Sequence, residues 1–158
     1  MKDLDITIPV KVASADDLSA SDRRLVELAR EATYRSYSPY SHFAVGAAIE
    51  LDNGQTVTGS NQENVAYPSG TCAERTAAYY AGATYPDARF KTIAIAARDT
   101  DGNFVKAPIA PCGACRQALL EYETLAGHNV RVILTGATEH YILPSVKSLL
   151  PFAFTEFD

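Results

Sequence analysis

KTIAIAA, residues 91–97, is continuously apolar in its middle and bounded by turn chemistry at Asp99 to Asn103, which predicts a strand covered on both faces. Downstream, Ala118, Leu119, Tyr122 and Leu125 recur at helical spacing and predict a helix over Gly113 to Ala126, followed by a second apolar strand, VRVILT, at Val130 to Thr135. Upstream, a helix opens near Thr71 or Cys72 and runs to about Gly82, with Ala73, Thr76, Ala77, Tyr80 and Ala81 on one face. Strands alternating with helices in this way build an α/β sheet with crossover helices. Further out, the odd positions Phe43 to Leu51 are apolar, and Asp52-Asn53-Gly54 turns them into a second strand at Gln55 to Gly59. A helix from about Asp22 to Tyr34, capped by Ser21, precedes this hairpin. Tyr141 to Leu143 forms a further strand, and Ser145 to Leu150 a short terminal helix. Residues 1–20 read as an N-terminal arm or strand with a polar linker, and residues 21–158 as one domain.

A length of 158 residues is enough to enclose one hydrophobic core. Hydrophobic residues make up 47% and charged residues 21%, which excludes disordered and fibrous classes. The net charge of −5 gives no electrostatic footprint for general nucleic-acid binding. The opening residues MKDLDITIPV lack the basic start and apolar run of a secretory signal, and no stretch matches a membrane-spanning helix. A reducing, cytoplasmic setting is the expectation, in which thiolates bind metal or react more often than they pair.

The three cysteines, Cys72, Cys112 and Cys115, are an odd number, so a complete set of intrachain disulfides is excluded. Cys112 and Cys115 at i and i+3 share a helix face; alone, that pair fits a redox dithiol, half a structural zinc site or two core cysteines. Cys72 lies at the start of the preceding crossover helix, and such helices begin near one edge of the sheet. The three thiols can therefore meet over one metal, and three ligands without an obvious fourth describe a catalytic zinc. Three thiolates leave such a site with net negative charge, so positive groups are expected nearby: two helix N-termini and Arg75, with Arg116 equally readable as a solvated helix residue. Glu74 is the candidate for proton transfer, its alternative being a carboxylate that stabilises the helix N-terminus.

Cys72-Ala73-Glu74 followed by Pro111-Cys112-Gly113-Ala114-Cys115 is similar to the pattern of the zinc deaminases. FAVGAA (Phe43 to Ala48), NQEN (Asn61 to Asn64), CAERTA (Cys72 to Ala77), PCGACRQ (Pro111 to Gln117) and LLPFAF (Leu149 to Phe154) together resemble the small homotetrameric cytidine deaminases over roughly residues 25–154. The resemblance implies a three-layer α/β/α sandwich with a mixed sheet of about five strands, one zinc per subunit on Cys72, Cys112 and Cys115, and Glu74 as the proton shuttle. It also implies that Asn61 and Glu63 bind the ribose hydroxyls, that Phe43 and Phe154 sandwich the pyrimidine, and that Tyr67 lies near the sugar. The Ala73 N–H would donate to the base carbonyl, and the Ala110 carbonyl would receive the leaving amino group. Phe154 and Tyr67 would reach across subunit boundaries of a homotetramer. Gln62 and Val65 depart from the family's usual residues in the sugar-binding segment.

The expected activity is hydrolytic deamination of cytidine and 2′-deoxycytidine, a step of pyrimidine salvage. Rival readings are a deaminase of another cytosine-bearing nucleoside, such as an aminoacylnucleoside antibiotic, and a non-catalytic protein that keeps zinc for structure. A polynucleotide editor fits less well, because the chain is acidic and lacks an aromatic-basic strand groove.

Overall fold

The computed structural model describes residues 1–155. Its strands are β1 (Lys11–Ser14), β2 (Ala44–Leu51), β3 (Thr56–Ser60), β4 (Phe90–Arg98), β5 (Arg131–Thr135) and β6 (Glu139–Leu143). The helices are α1 (Ala20–Ala32), α2 (Ala73–Thr84) and α3 (Gly113–Ala126). The strands form one mixed sheet in the order β1-β6-β5-β4-β2-β3, six strands where about five were expected. The sixth is β1, which adds Lys11–Ser14 antiparallel to β6 at the sheet edge.

Strand β2 runs antiparallel to both β3 and β4, so β3 and β4 point the same way, and β5 is parallel to β4. The segments β3-α2-β4 and β4-α3-β5 are therefore both crossovers, and α2 and α3 start beyond the carboxyl ends of their strands, as the alternation of elements implied.

Alternate residues of the central strands feed two cores. On one face Ala47, Ile49, Ile93, Ile95 and Val132 pack with Ala77 and Ala81 of α2 and Leu119 of α3. On the other, Ala48, Ala94, Ala96 and Ile133 pack with Leu25, Val26 and Ala29 of α1. The result is three layers. The odd-position pattern in β2 marks only the first face; its even positions Ala44, Gly46 and Ala48 are also buried, but small, because α1 lies close above them. A Cβ on Gly46 would sit 2.2 Å from the Ala29 carbonyl oxygen, and one on Gly59 would sit 2.5 Å from the Ala77 nitrogen. Glycine at both positions lets the helices press directly onto the hairpin.

Several boundaries and faces differ from expectation. Ser19, not Ser21, caps α1, its hydroxyl accepting from the Asp22 N–H at 3.1 Å. The helix ends at Ala32 and gives way to a 3-10 turn, Thr33–Arg35. In α2, Tyr80 is exposed while Glu74 and Ala78 are buried. In α3, Leu125 is exposed while Leu120 and Glu123 are buried. The turned face of α3 has a cause that no apolar pattern reveals. The Glu123 carboxylate accepts from the Val130, Val146 and Lys147 N–H groups and from the Ser145 hydroxyl, which satisfies its burial. The terminal helix expected at Ser145 to Leu150 is a single 3-10 turn, Val146–Leu149.

Candidate metal centre and substrate cavity

Cys72 is the N-cap of α2 and Cys112 the N-cap of α3, both in extended backbone, and Cys115 lies in the first turn of α3. Parallel crossovers thus aim two helix N-termini, each equivalent to roughly half a positive charge, at one spot. The Cys72 and Cys112 Sγ atoms are 3.8 Å apart, and all three sulfurs lie within 4.8 Å of one another. Thiolates about 2.3 Å from a tetrahedral zinc are spaced about 3.8 Å, so the separation suits a shared ion.

The Cys72 thiol is pushed down to about 5, first by its hydrogen bond with Cys115 and then by Arg75, whose Nη2 lies 3.8 Å from the Cys72 sulfur. The same hydrogen bond, together with burial and the charges of Glu74 and Cys72, pushes the Cys115 thiol up. Charge on the Cys72 sulfur therefore opposes charge on Cys115, and a cation between them would relieve that opposition, which makes the donor set a fit for zinc. Arg116 serves differently: its Nε and Nη1 donate to the Pro111 and Leu149 carbonyls at 2.8 and 3.0 Å, tying the start of α3 to the C-terminal 3-10 turn.

Glu74 is 4% exposed, and among the described residues its Oε2 has no hydrogen-bond partner. Burial raises its carboxyl to about 7. An unpartnered buried carboxylate oxygen is costly, and buried carboxyls perturbed in this way are characteristic of functional sites.

A cavity of about 560 Å³ is lined by Cys72, Arg75, Asn61, Glu63 and Tyr67 among others. Asn61 is held firmly: its Oδ1 accepts from the Ser36 hydroxyl at 2.6 Å and the Val45 N–H at 2.8 Å, and its Nδ2 donates to the Phe43 carbonyl at 2.9 Å. Glu63 accepts from the Tyr40 and Ser41 N–H groups at 2.9 and 3.2 Å and from the Ser41 hydroxyl. The Ser41 hydroxyl does most to hold this carboxyl below its usual range. Ser36, Tyr40 and Ser41 belong to no motif of the sequence, and the hydroxyls clustered around Pro39 are the only local signal of this cradle.

Four expected contact residues lie outside this lining. Ala73 is fully buried at the first position of α2, where its N–H has no intrahelical acceptor. Ala110 is exposed and Phe43 half-buried. Phe154 is exposed, with its backbone carbonyl and N–H both bonded to the Gln117 side-chain amide.

A mixed sheet whose crossover helices open on three clustered thiols and a buried glutamate defines a metal-dependent α/β enzyme of the zinc-deaminase class. The chain belongs to the cytidine and deoxycytidylate deaminase family: the profile described as "Cytidine and deoxycytidylate deaminase zinc-binding region" matches residues 19–127. It is 37% identical over 135 residues to a cytidine deaminase of Sporosarcina psychrophila, covering 85% of this chain and 92% of the relative. A cytidine deaminase of Halalkalibacterium halodurans is 39% identical, with 85% of this chain and 94% of the relative covered. The crystal structure of cytidine deaminase from Burkholderia pseudomallei superposes with a TM-score of 0.71 at 36% identity, covering 87% of this chain and all of that one. Among the described residues no helix is long and apolar enough to cross a membrane.

Proposed function

We propose that this chain deaminates cytidine and 2′-deoxycytidine by hydrolysis, releasing uridine or 2′-deoxyuridine and ammonia. One observation carries the reading: Cys72, one of the three clustered thiols, lines a cavity that also presents Asn61 and Glu63, and two residues along α2 Glu74 buries a carboxylate oxygen that has no partner among the described residues. Cys72, Cys112 and Cys115 hold one zinc ion, which when bound supplies the Lewis acidity that makes water nucleophilic at neutral pH. Glu74 takes a proton from the water that adds at C4 and delivers it to N3 of the pyrimidine. It then takes the proton of the new C4 hydroxyl and passes it to the amino group, so that the C4 carbonyl forms as the C4–N bond breaks and ammonia leaves. Arg75 draws charge from the Cys72 sulfur. The Ala73 N–H donates to the base carbonyl, and the Ala110 carbonyl accepts from the departing amino group. Asn61 and Glu63, immobilised by Ser36 and Ser41, receive the ribose hydroxyls without first having to be ordered.

Zinc-replete protein is expected to cause a steady ultraviolet absorbance loss with either nucleoside, to stop with chelator and to recover on zinc addition. No loss with either nucleoside would transfer the chain to the class of zinc-stabilised binding proteins.

The same reading assigns Phe43 and Phe154 to the faces of the pyrimidine, with Phe154 and Tyr67 reaching a neighbouring subunit's site in a homotetramer. It is supported by the exposure of Phe154 and Tyr67, 62% and 80%, on the single chain. Light scattering on eluting protein is expected to give four times the chain mass; a strict monomer would remove both cross-subunit assignments. A reducing, cytoplasmic compartment completes the reading, since it keeps the three thiols available to metal.

A further inference from the structure

The N-terminal arm carries Leu4, Ile6, Ile8, Val10 and Val12 at every second position, and all five are exposed. Such alternation is the pattern of a strand with one apolar face, and it leads directly into β1, whose outer edge is unpaired among the described residues. Pairing of this segment with β6 begins only at Lys11, opposite Ile142. Continued by two residues, that register sets Pro9 opposite Pro144, and neither has an N–H to give the ladder. The inner edge is therefore closed to further pairing, while the outer edge retains the N–H groups of all five apolar residues.

We propose that the arm pairs antiparallel with the arm of a second copy of this chain about a two-fold axis at Ile8. The partner follows from the arm's own sequence. Centred on Ile8, Leu4 faces Val12, Ile6 faces Val10, and Asp5 faces Lys11, so every apolar residue meets an apolar one and the charges oppose. Moving the axis to Pro9 loses the charge match and leaves Leu4 opposite Ser14, and moving it to Thr7 puts Asp3 in place of Asp5 opposite Lys11 but leaves Val12 opposite Lys2. Proline agrees with the same centre. Pro9 is tolerated where its nitrogen points away from the new partner, and this makes the even residues the hydrogen-bonded ones. The interface is isologous, closes on itself, and covers an exposed edge strand. It is separate from the association proposed around the substrate cavity, and its test does not depend on that association.

Ile8 faces its own counterpart across the axis, with Cα atoms about 5.5 Å apart as in a hydrogen-bonded antiparallel pair, within reach of a disulfide. Zinc-loaded full-length I8C, mildly oxidised with glutathione disulfide, is expected to run mainly as a covalent dimer on a denaturing gel, whereas T7C and the unsubstituted chain do not. Adding K11D places like charges opposite each other twice and is expected to lower the cross-linked fraction about tenfold. Adding D5K as well restores opposite charges and is expected to recover it. Deaminase turnover should be unchanged throughout. An I8C chain that stays single, equal cross-linking of T7C, or failure of the charge swap to rescue would each overturn the pairing.

Discussion

Glutamine at position 74 is expected to leave the zinc content at one ion per chain while kcat on cytidine falls at least ~10²-fold. The substitution keeps the volume and planar shape of a side chain that is 4% exposed, so the packing of α2 is preserved. What disappears is the ability of Oε2 to take up and release a proton, the one capacity its unpartnered burial serves. A merely structural carboxylate would behave otherwise: an amide in its place would shift the melting temperature and leave kcat nearly intact. Steady-state kinetics beside zinc analysis of the same sample separates the two outcomes. Near-normal turnover would end the proton-transfer role.

Alanine at position 112 is expected to abolish both metal retention and activity. With three sulfurs within 4.8 Å of one another, each supplies a third of the protein's donor set. Structural zinc sites owe roughly 10–16 kcal/mol of apparent binding free energy to their full complement of ligands, so the loss of one thiolate removes several kcal/mol. Cys112 is the exposed member of the set, and its truncation opens no cavity in the core. The folded fraction of C112A, read by circular dichroism, should therefore stay high while zinc in the dialysed protein drops well below one per chain. A fully metallated, active C112A would take Cys112 out of the ligand set.

Much of this architecture is legible in the sequence, for identifiable reasons. KTIAIAA and VRVILT are short, apolar and β-branched, and the helix between them ends at Gly127, whose φ of 68° only glycine adopts readily. Such local signals do not depend on the rest of the fold. The thiol cluster was readable because the crossover rule converts distant positions in the chain into neighbours at one sheet edge. Other features depend on packing that no local pattern records. Glu123 looks like a solvated helix residue, yet it is buried by four donors gathered from two later segments. Tyr80 and Leu125 look like core residues, yet both are exposed, because α2 buries the face of Ala77, Ala78 and Ala81 and α3 that of Leu119, Leu120 and Glu123. The cradle around Glu63 rests on Ser41 and the Tyr40 N–H, which only the tertiary fold brings to a carboxylate more than twenty positions later.

The thiol cluster also bears on the unfolded chain. Cys72 and Cys112 are separated by 40 residues that include all of α2 and β4. An ion held by both sulfurs is a removable cross-link around that loop, and closing a loop of this length restricts the denatured ensemble by about 4 kcal/mol in the chain-entropy treatment. Losing the ion therefore slackens a quarter of the molecule along with its chemistry, so metal supply would govern how long the chain survives as well as how fast it works.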